Sequence, residues 1–376
     1  MATSVEAVDL TQRLLRFDTI NPPGQEEACA RHIGALLESA GYRVSYHACG
    51  AGRANLVATI GGRQEQAPIC FTGHIDIVPL GAAPWSKDPF AGETDGGRLY
   101  GRGSSDMKSG VGAFVTAAIA LAPHLERTAG ISLVITAGEE TGCMGAFELI
   151  RTPGAIGRAG AIVVAEPTAN YPYVGHRGAF WLNATTTGVT AHGSMPEKGV
   201  NAVYKAASAV SKLEHFRFST PPHELMGQGT LNVGTFHGGL NINSVPDRAS
   251  IGIDIRTVPT QQHAHIRDEL CAVLGPDVHF DTMLDVGSVY SDPADDWVQE
   301  VFDVMQPYLG ARPEARTASF FTDAAALKPA YGNPPTLILG PGEPQMAHQT
   351  DEYCQVERVV QSADAFIEIM KRWCRV

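Results

Sequence analysis

Ile69-Cys70-Phe71-Thr72-Gly73-His74-Ile75-Asp76-Ile77-Val78-Pro79 is the stretch on which the reading of this chain turns. Its first half is an apolar run that reads as a buried strand, and its second half runs out into a polar turn. There a histidine and an aspartate stand two residues apart, a spacing that puts both side chains on one face of an extended chain. An imidazole whose second N–H is held by a neighbouring carboxylate is fixed in tautomer and direction, which suits a metal ligand. A solvated strand end is the plainer account of the same spacing.

Two further apolar runs end the same way. Residues 131–136 lead into Ala137-Gly138-Glu139-Glu140-Thr141-Gly142, and 161–165 lead into Glu166-Pro167. Ligands in open α/β sheets gather just beyond the carboxyl ends of strands, so the three ends read as one site. Adjacent carboxylates such as Glu139 and Glu140 repel, and a cation relieves that repulsion; one of the two can bind it while the other acts as base. A solvated acidic turn is the alternative. Asp106, in the glycine-rich stretch 99–106, and His348 join the candidates, although a loop-capping aspartate, a turn acid at Glu166 and a surface histidine are equally ordinary roles.

Working outward, Val5, Val8, Leu10, Leu14, Leu15 and Phe17 recur at helical spacing, and Asn21-Pro22-Pro23-Gly24 stops any continuation. A second helix is expected over 26–39, strands over 43–47 and 55–60, and a nearly uncharged, buried helix over 107–121. Past Arg177-Gly178 the style changes: strands over 181–187, 229–235, 249–256 and 278–283 alternate with helices over 201–213 and 261–274. This fits a small α+β layer inserted into the larger sheet domain. The first pattern returns with elements over 301–309, 336–339 and 356–373. The expected fold class is therefore α/β, with a discontinuous domain at 1–177 and 291–376 and an inserted α+β domain at 178–290.

Composition sets the outer bounds. The 376 residues suffice for two domains, and 44% hydrophobic with 18% charged residues is an ordinary globular balance. A formal net charge of -12 argues against nucleic acid or an anionic membrane surface as partner. The seven cysteines are scattered, without the pairing of a zinc ribbon, which points to a reducing cytoplasm. No leader or membrane-spanning run is read in the sequence.

The motifs, taken together, resemble the co-catalytic metallohydrolases that include acetylornithine deacetylase, succinyl-diaminopimelate desuccinylase, aminoacylase and the glutamate carboxypeptidases. The stretches that carry the resemblance are GHIDIVP at 73–79, YGRGSSDMKSG at 100–110, AGEETG at 137–142, AEP at 165–167, TAHGSMPEKGVNA at 190–202, NSVPD at 243–247 and GPGEPQMAHQTDEY at 340–353. The resemblance implies a metallo-aminopeptidase-like catalytic domain with an inserted dimerisation, or lid, domain. It implies that His74 and Glu166 hold one metal, that Glu140 and His348 hold a second, and that Asp106 bridges them. Asp76 is then the partner of His74, Glu139 the general base, and His192 a donor to the developing oxyanion. Two imidazoles and three carboxylates without a thiolate suit two divalent ions, zinc first, with cobalt or manganese as substitutes.

Substrate contacts implied by the resemblance are Asn243 and Arg256, together with Arg177, which is read either as a partner for a substrate carboxylate or as a partner for a hinge acid. Thr317-Ala318-Ser319-Phe320-Phe321-Thr322-Asp323 departs from the glycine-rich stretch of desuccinylase-like relatives, and its two phenylalanines narrow the expected pocket. The ending at 340–353 looks closest to the acetylornithine deacetylase branch. The expected activity is hydrolysis of N-acyl, foremost N-acetyl, amino acids by a homodimer. Dipeptidase, carboxypeptidase, desuccinylase and aromatic amine hydrolase activities are alternatives.

Overall fold

The computed structural model describes residues 2–62 and 65–376, with the side chains of the first helix from Glu6 onward. Val5, counted in the expected helical stripe, lies outside those described side chains. The chain forms two compact units, one of residues through Gly175 with Tyr290–Thr317 and Thr322–Val376, the other of His176–Val289 with Ala318–Phe321.

The first unit is built on a six-stranded sheet in the order Arg43–Gly50, Arg53–Ile60, Ile131–Thr136, Ile69–His74, Ala161–Val164, Thr336–Ile338. The last four strands run parallel. Every residue of Ile69–His74, Ile131–Thr136 and Ala161–Val164 is buried, as expected of parallel strands covered on both faces. Helices Ala2–Leu15, Lys108–Leu121 and Val356–Cys374 pack on one another, while Met144–Arg151 and Ala324–Ala330 pair against the sheet. The near-absence of charge in Lys108–Leu121 is explained by its burial. At Gly110 any Cβ would collide with the carbonyl oxygen of Ala165, so only glycine lets this helix lie against the turn that leads to Glu166. The Ala324–Ala330 helix was not expected; with seven residues and an internal proline it carries no readable period.

The second unit is a four-stranded antiparallel sheet in the order Thr230–Gly238, Arg248–Thr257, Gly178–Thr187, Val278–Val286. Phe180, Leu182, Ala184, Ile251, Ile253 and Ile255 form its core with apolar positions of helices Ala202–Glu214 and His263–Leu274. Alternating burial along Arg248–Thr257 marks a sheet with one packed face. The sequence assigned 318–321 to the first domain; here they group with the second unit. Ala318 bridges to His176 and its carbonyl accepts the N–H of Arg177 at 3.1 Å. Among the described residues, no helix is long and apolar enough to cross a membrane.

Candidate metal centre

Because the strands Ile69–His74, Ile131–Thr136 and Ala161–Val164 run parallel in neighbouring positions, their carboxyl ends deliver His74, Glu139-Glu140 and Glu166 to one edge of the sheet. Asp106 arrives from the loop before the Lys108–Leu121 helix, and His348 from a turn in which it holds a left-handed φ of 64°. Asp106 lies between the two imidazoles: Oδ1 is 3.1 Å from His74 Nε2 and Oδ2 is 3.4 Å from His348 Nε2. Glu140 Oε2 is 3.1 Å from His348 Nε2, and Glu166 Oε1 is 3.8 Å from His74 Nε2. Glu139 Oε2 is also within 4.0 Å of His74 Nε2. Ligand-type atoms of His74, Asp106 and Glu140 lie within 4.8 Å of one another, as do those of His74, Glu139 and Glu166.

The electrostatics fit a cation. Burial, with neighbouring carboxylates, pushes Glu139 and Glu166 well above the ordinary carboxylate range, and burial beside Asp106 pushes Glu140 up to about 7. Hydrogen bonds to Asp106 and Glu140 raise His348 to about 10. At Asp106 burial acts upward, but the hydrogen bonds to His348 and His74 win and hold the carboxyl below its usual value. The cluster thus takes up protons to offset an excess of buried negative charge, and divalent ions answer the same need. Oxygen and imidazole donors without thiolate suit zinc, cobalt or manganese chemically.

Asp76 approaches His74 and holds the acidic turn as well. The strand ends at His74, so the two side chains do not share a strand face. His74 Nδ1 is 2.9 Å from the backbone carbonyl of Asp76 and 3.5 Å from its carboxylate. The Asp76 carboxylate also accepts the N–H groups of Glu139 and Glu140 at 3.1 and 3.2 Å and the amide of Asn21 at 2.8 Å. It therefore fixes the acidic turn as well as the histidine.

Three residues join the cluster that were not named as site residues. Cys143 Sγ donates to Glu139 Oε1 at 3.6 Å. Asp323, buried and raised to about 6 by that burial, accepts from Thr136 Oγ1. Asn21 sits in the proline-rich stop after the first helix. A carboxylate and an amide in otherwise apolar or turn-forming surroundings were the only local signals.

The remaining expected residues belong to the second unit. His192 is exposed, with Nδ1 2.8 Å from Ser194 Oγ, and Gly193 N–H donates to the Asn243 carbonyl at 2.7 Å, so His192 and Asn243 lie on adjoining segments. Arg177 donates to the carbonyls of Gln228 and Met226 at 2.9 and 2.6 Å. Arg256 pairs with Asp254 at 3.0 Å and lies over the Trp181 ring. In the first unit Glu343 is buried and paired with Arg358.

Residues 70–372 match the model of peptidase family M20/M25/M40. The chain is 30% identical over 354 residues to a probable succinyl-diaminopimelate desuccinylase of Staphylococcus epidermidis, covering 85% of this chain and 86% of that one. It is 28% identical over 363 residues to an acetylornithine deacetylase of Proteus mirabilis, covering 93% and 90%. The two identities are too close to favour either branch. In three dimensions it resembles an M20 family metallo-carboxypeptidase of Sulfolobus solfataricus, with a TM-score of 0.80 at 16% identity over 99% of this chain and 100% of that one.

Proposed function

The chain belongs to peptidase family M20/M25/M40, a family of metallohydrolases, and from that premise we propose that it hydrolyses the amide bond of N-acyl α-amino acids, with N-acetyl compounds preferred. The observation that carries this reading is the Asp106 carboxylate held between the His74 and His348 imidazoles, with Glu139, Glu140 and Glu166 around them. His74 and Glu166 would hold one divalent ion, Glu140 and His348 the other, and Asp106 both, with zinc the first choice. When bound, the ions supply Lewis acidity and a water activated at neutral pH.

The chain's own residues do the rest. Glu139, kept from solvent and steadied by the Cys143 thiol, takes the proton as water oxygen bonds to the acyl carbon. As the C–N bond breaks, Glu139 returns that proton to the leaving nitrogen, giving a free amine and a carboxylic acid whose remaining proton passes to the amine or to solvent. Asp76 keeps the 139–140 turn in register through its two backbone contacts. His192 is assigned to the developing oxyanion, and Asn243 and Arg256 to the substrate's α-carboxylate. Arg256 is the better placed of the two arginines, because a partly exposed ion pair with Asp254 is weak enough to exchange, whereas Arg177 is already committed to two carbonyls.

Phe320 and Phe321, in a stretch that the resemblance makes glycine-rich in desuccinylase-like members, support a neutral acyl group over succinyl, since an unpaired buried carboxylate is costly. The name of the Staphylococcus epidermidis relative supports the succinyl reading. A homodimer through the inserted domain, roughly 178–290, is proposed on the fully exposed Leu240 and Ile242 and on the edge strand Thr230–Gly238. Seven free cysteines support a reducing, cytoplasmic setting. The deciding measurement is kcat/KM for N-acetylornithine, other N-acetyl amino acids, N-succinyl-diaminopimelate and dipeptides, before and after metal removal and re-addition. N-acetyl compounds should be best; a better succinyl substrate overturns the acyl preference, and turnover of dipeptides alone overturns the deacylase reading.

A further inference from the structure

We propose that the buried Arg102–Glu352 pair is a positioning unit that sets the Asp106–His348 half of the metal centre, an inference that rests on the two-ion reading above. Both side chains are almost wholly buried. Each Glu352 oxygen is doubly used. Oε2 accepts from Arg102 Nη1 at 2.6 Å and from the Gly103 N–H at 3.0 Å. Oε1 accepts from the N–H groups of Ser105 and Asp106 at 2.8 and 3.0 Å. One carboxylate thereby shapes the loop that presents Asp106, gripping the backbone of Asp106 itself.

Arg102 extends the hold in two directions. Its Nη1 donates to the Gln349 carbonyl at 3.1 Å, and its Nη2 to the carbonyls of Pro79 at 3.2 Å and His348 at 3.5 Å. The pair therefore ties together the end of the 73–79 stretch, the Asp106 loop and the turn that carries His348. That turn needs a hold, since His348 sits at φ 64°, a left-handed conformation that side chains rarely adopt. His74 and Glu166 are secured otherwise, by their places at the ends of sheet strands: His74 lies in register with Thr136, and Ala165 N–H donates to Thr72 at 3.0 Å.

A buried ion pair loses much of its Coulombic gain to desolvation and is weak evidence for stability. Here its value is geometric, because it meets backbone groups on three separate segments. Two substitutions separate geometry from charge. Glu352→Gln turns an NH2 group against N–H donors in a side chain of the same size. Arg102→Lys keeps the charge but loses the planar fork that reaches several carbonyls at once.

The test is calorimetric titration of metal-stripped protein with Zn2+, alongside circular dichroism and thermal melting of the same metal-free samples. In both variants the equivalent that Glu140 and His348 would hold should bind about 10–100-fold more weakly, the range seen when a group that orients a ligand is lost, while the other, which shares only Asp106 with it, weakens less and the metal-free fold is retained. Folded variants that bind both equivalents with wild-type affinity overturn the inference. So does a parallel weakening of both equivalents in step with a lowered melting temperature, which is the signature of a purely structural pair. If Glu352→Gln fails to fold, Arg102→Lys decides by the same criteria. Wild-type protein that takes up no ion overturns the two-ion reading itself, a result distinct from any change confined to the variants.

Discussion

Asp76 accepts the backbone N–H of Glu139 through Oδ1 at 3.1 Å, so the residue two positions beyond His74 also governs where the adjacent acidic turn lies. Its second oxygen does the same for Glu140. Asp76→Ala should therefore weaken both metal retention and turnover, each by about 10–100-fold. Metal content after dialysis and kcat/KM, measured on the same preparation, check this; a variant that loses activity but keeps wild-type metal affinity would contradict the dual hold.

Glu139→Gln should leave the fold and the metal stoichiometry intact and slow turnover by about 10²–10⁴-fold, the range for a lost general base. Elemental analysis and steady-state kinetics are the readouts. Because Glu139 Oε2 also approaches His74 within 4.0 Å, loss of a metal equivalent in this variant would identify it as a ligand instead.

Metal uptake should release protons at pH 7. His348, raised to about 10 by its hydrogen bonds to Asp106 and Glu140, is protonated in the metal-free protein, and Glu140, at about 7, is partly so. A ligand must be deprotonated to bind, so apparent affinity should rise with pH. Titration of stripped protein in two buffers of different ionisation enthalpy reads the released protons directly. Zero release would remove His348 from the ligand set.

His176 is fully buried, and that burial lowers its imidazole to about 4, against a small opposing effect of the Arg177 carbonyl. The unfolded chain binds this proton below the ordinary value near 6.5 while the folded chain does not, so stability is present above that pH and lost as pH falls towards 4. The penalty is about 3 kcal/mol once both states are below their pKa. His176→Gln should flatten denaturant-derived stability between pH 6.5 and 4; an unchanged slope would place the acid sensitivity elsewhere.

His192→Ala should reduce turnover without altering bound metal, and light scattering should report a dimer at micromolar concentration. A monomer that is fully active would set aside the paired arrangement.

From the sequence alone, the parallel-sheet core and the strand-end placement of His74, Glu139, Glu140 and Glu166 were readable. Buried strands are apolar runs, and a polar residue that ends such a run announces the sheet edge. The Ala- and Gly-rich helix at 108–121 and the switch to an α+β pattern after Gly178 were readable for the same reason, since burial writes itself into local periodicity. What tertiary structure decided is how charged and polar groups are spent. Arg102 meets Glu352 across 250 positions, Asp76 meets Glu139 across 63, and Thr136 meets Asp323 across 187. Arg177 proved to serve two carbonyls, and the buried Glu343 an arginine. A hydrogen bond depends on the final position of both partners, and no local pattern records a partner that only folding brings within 3 Å.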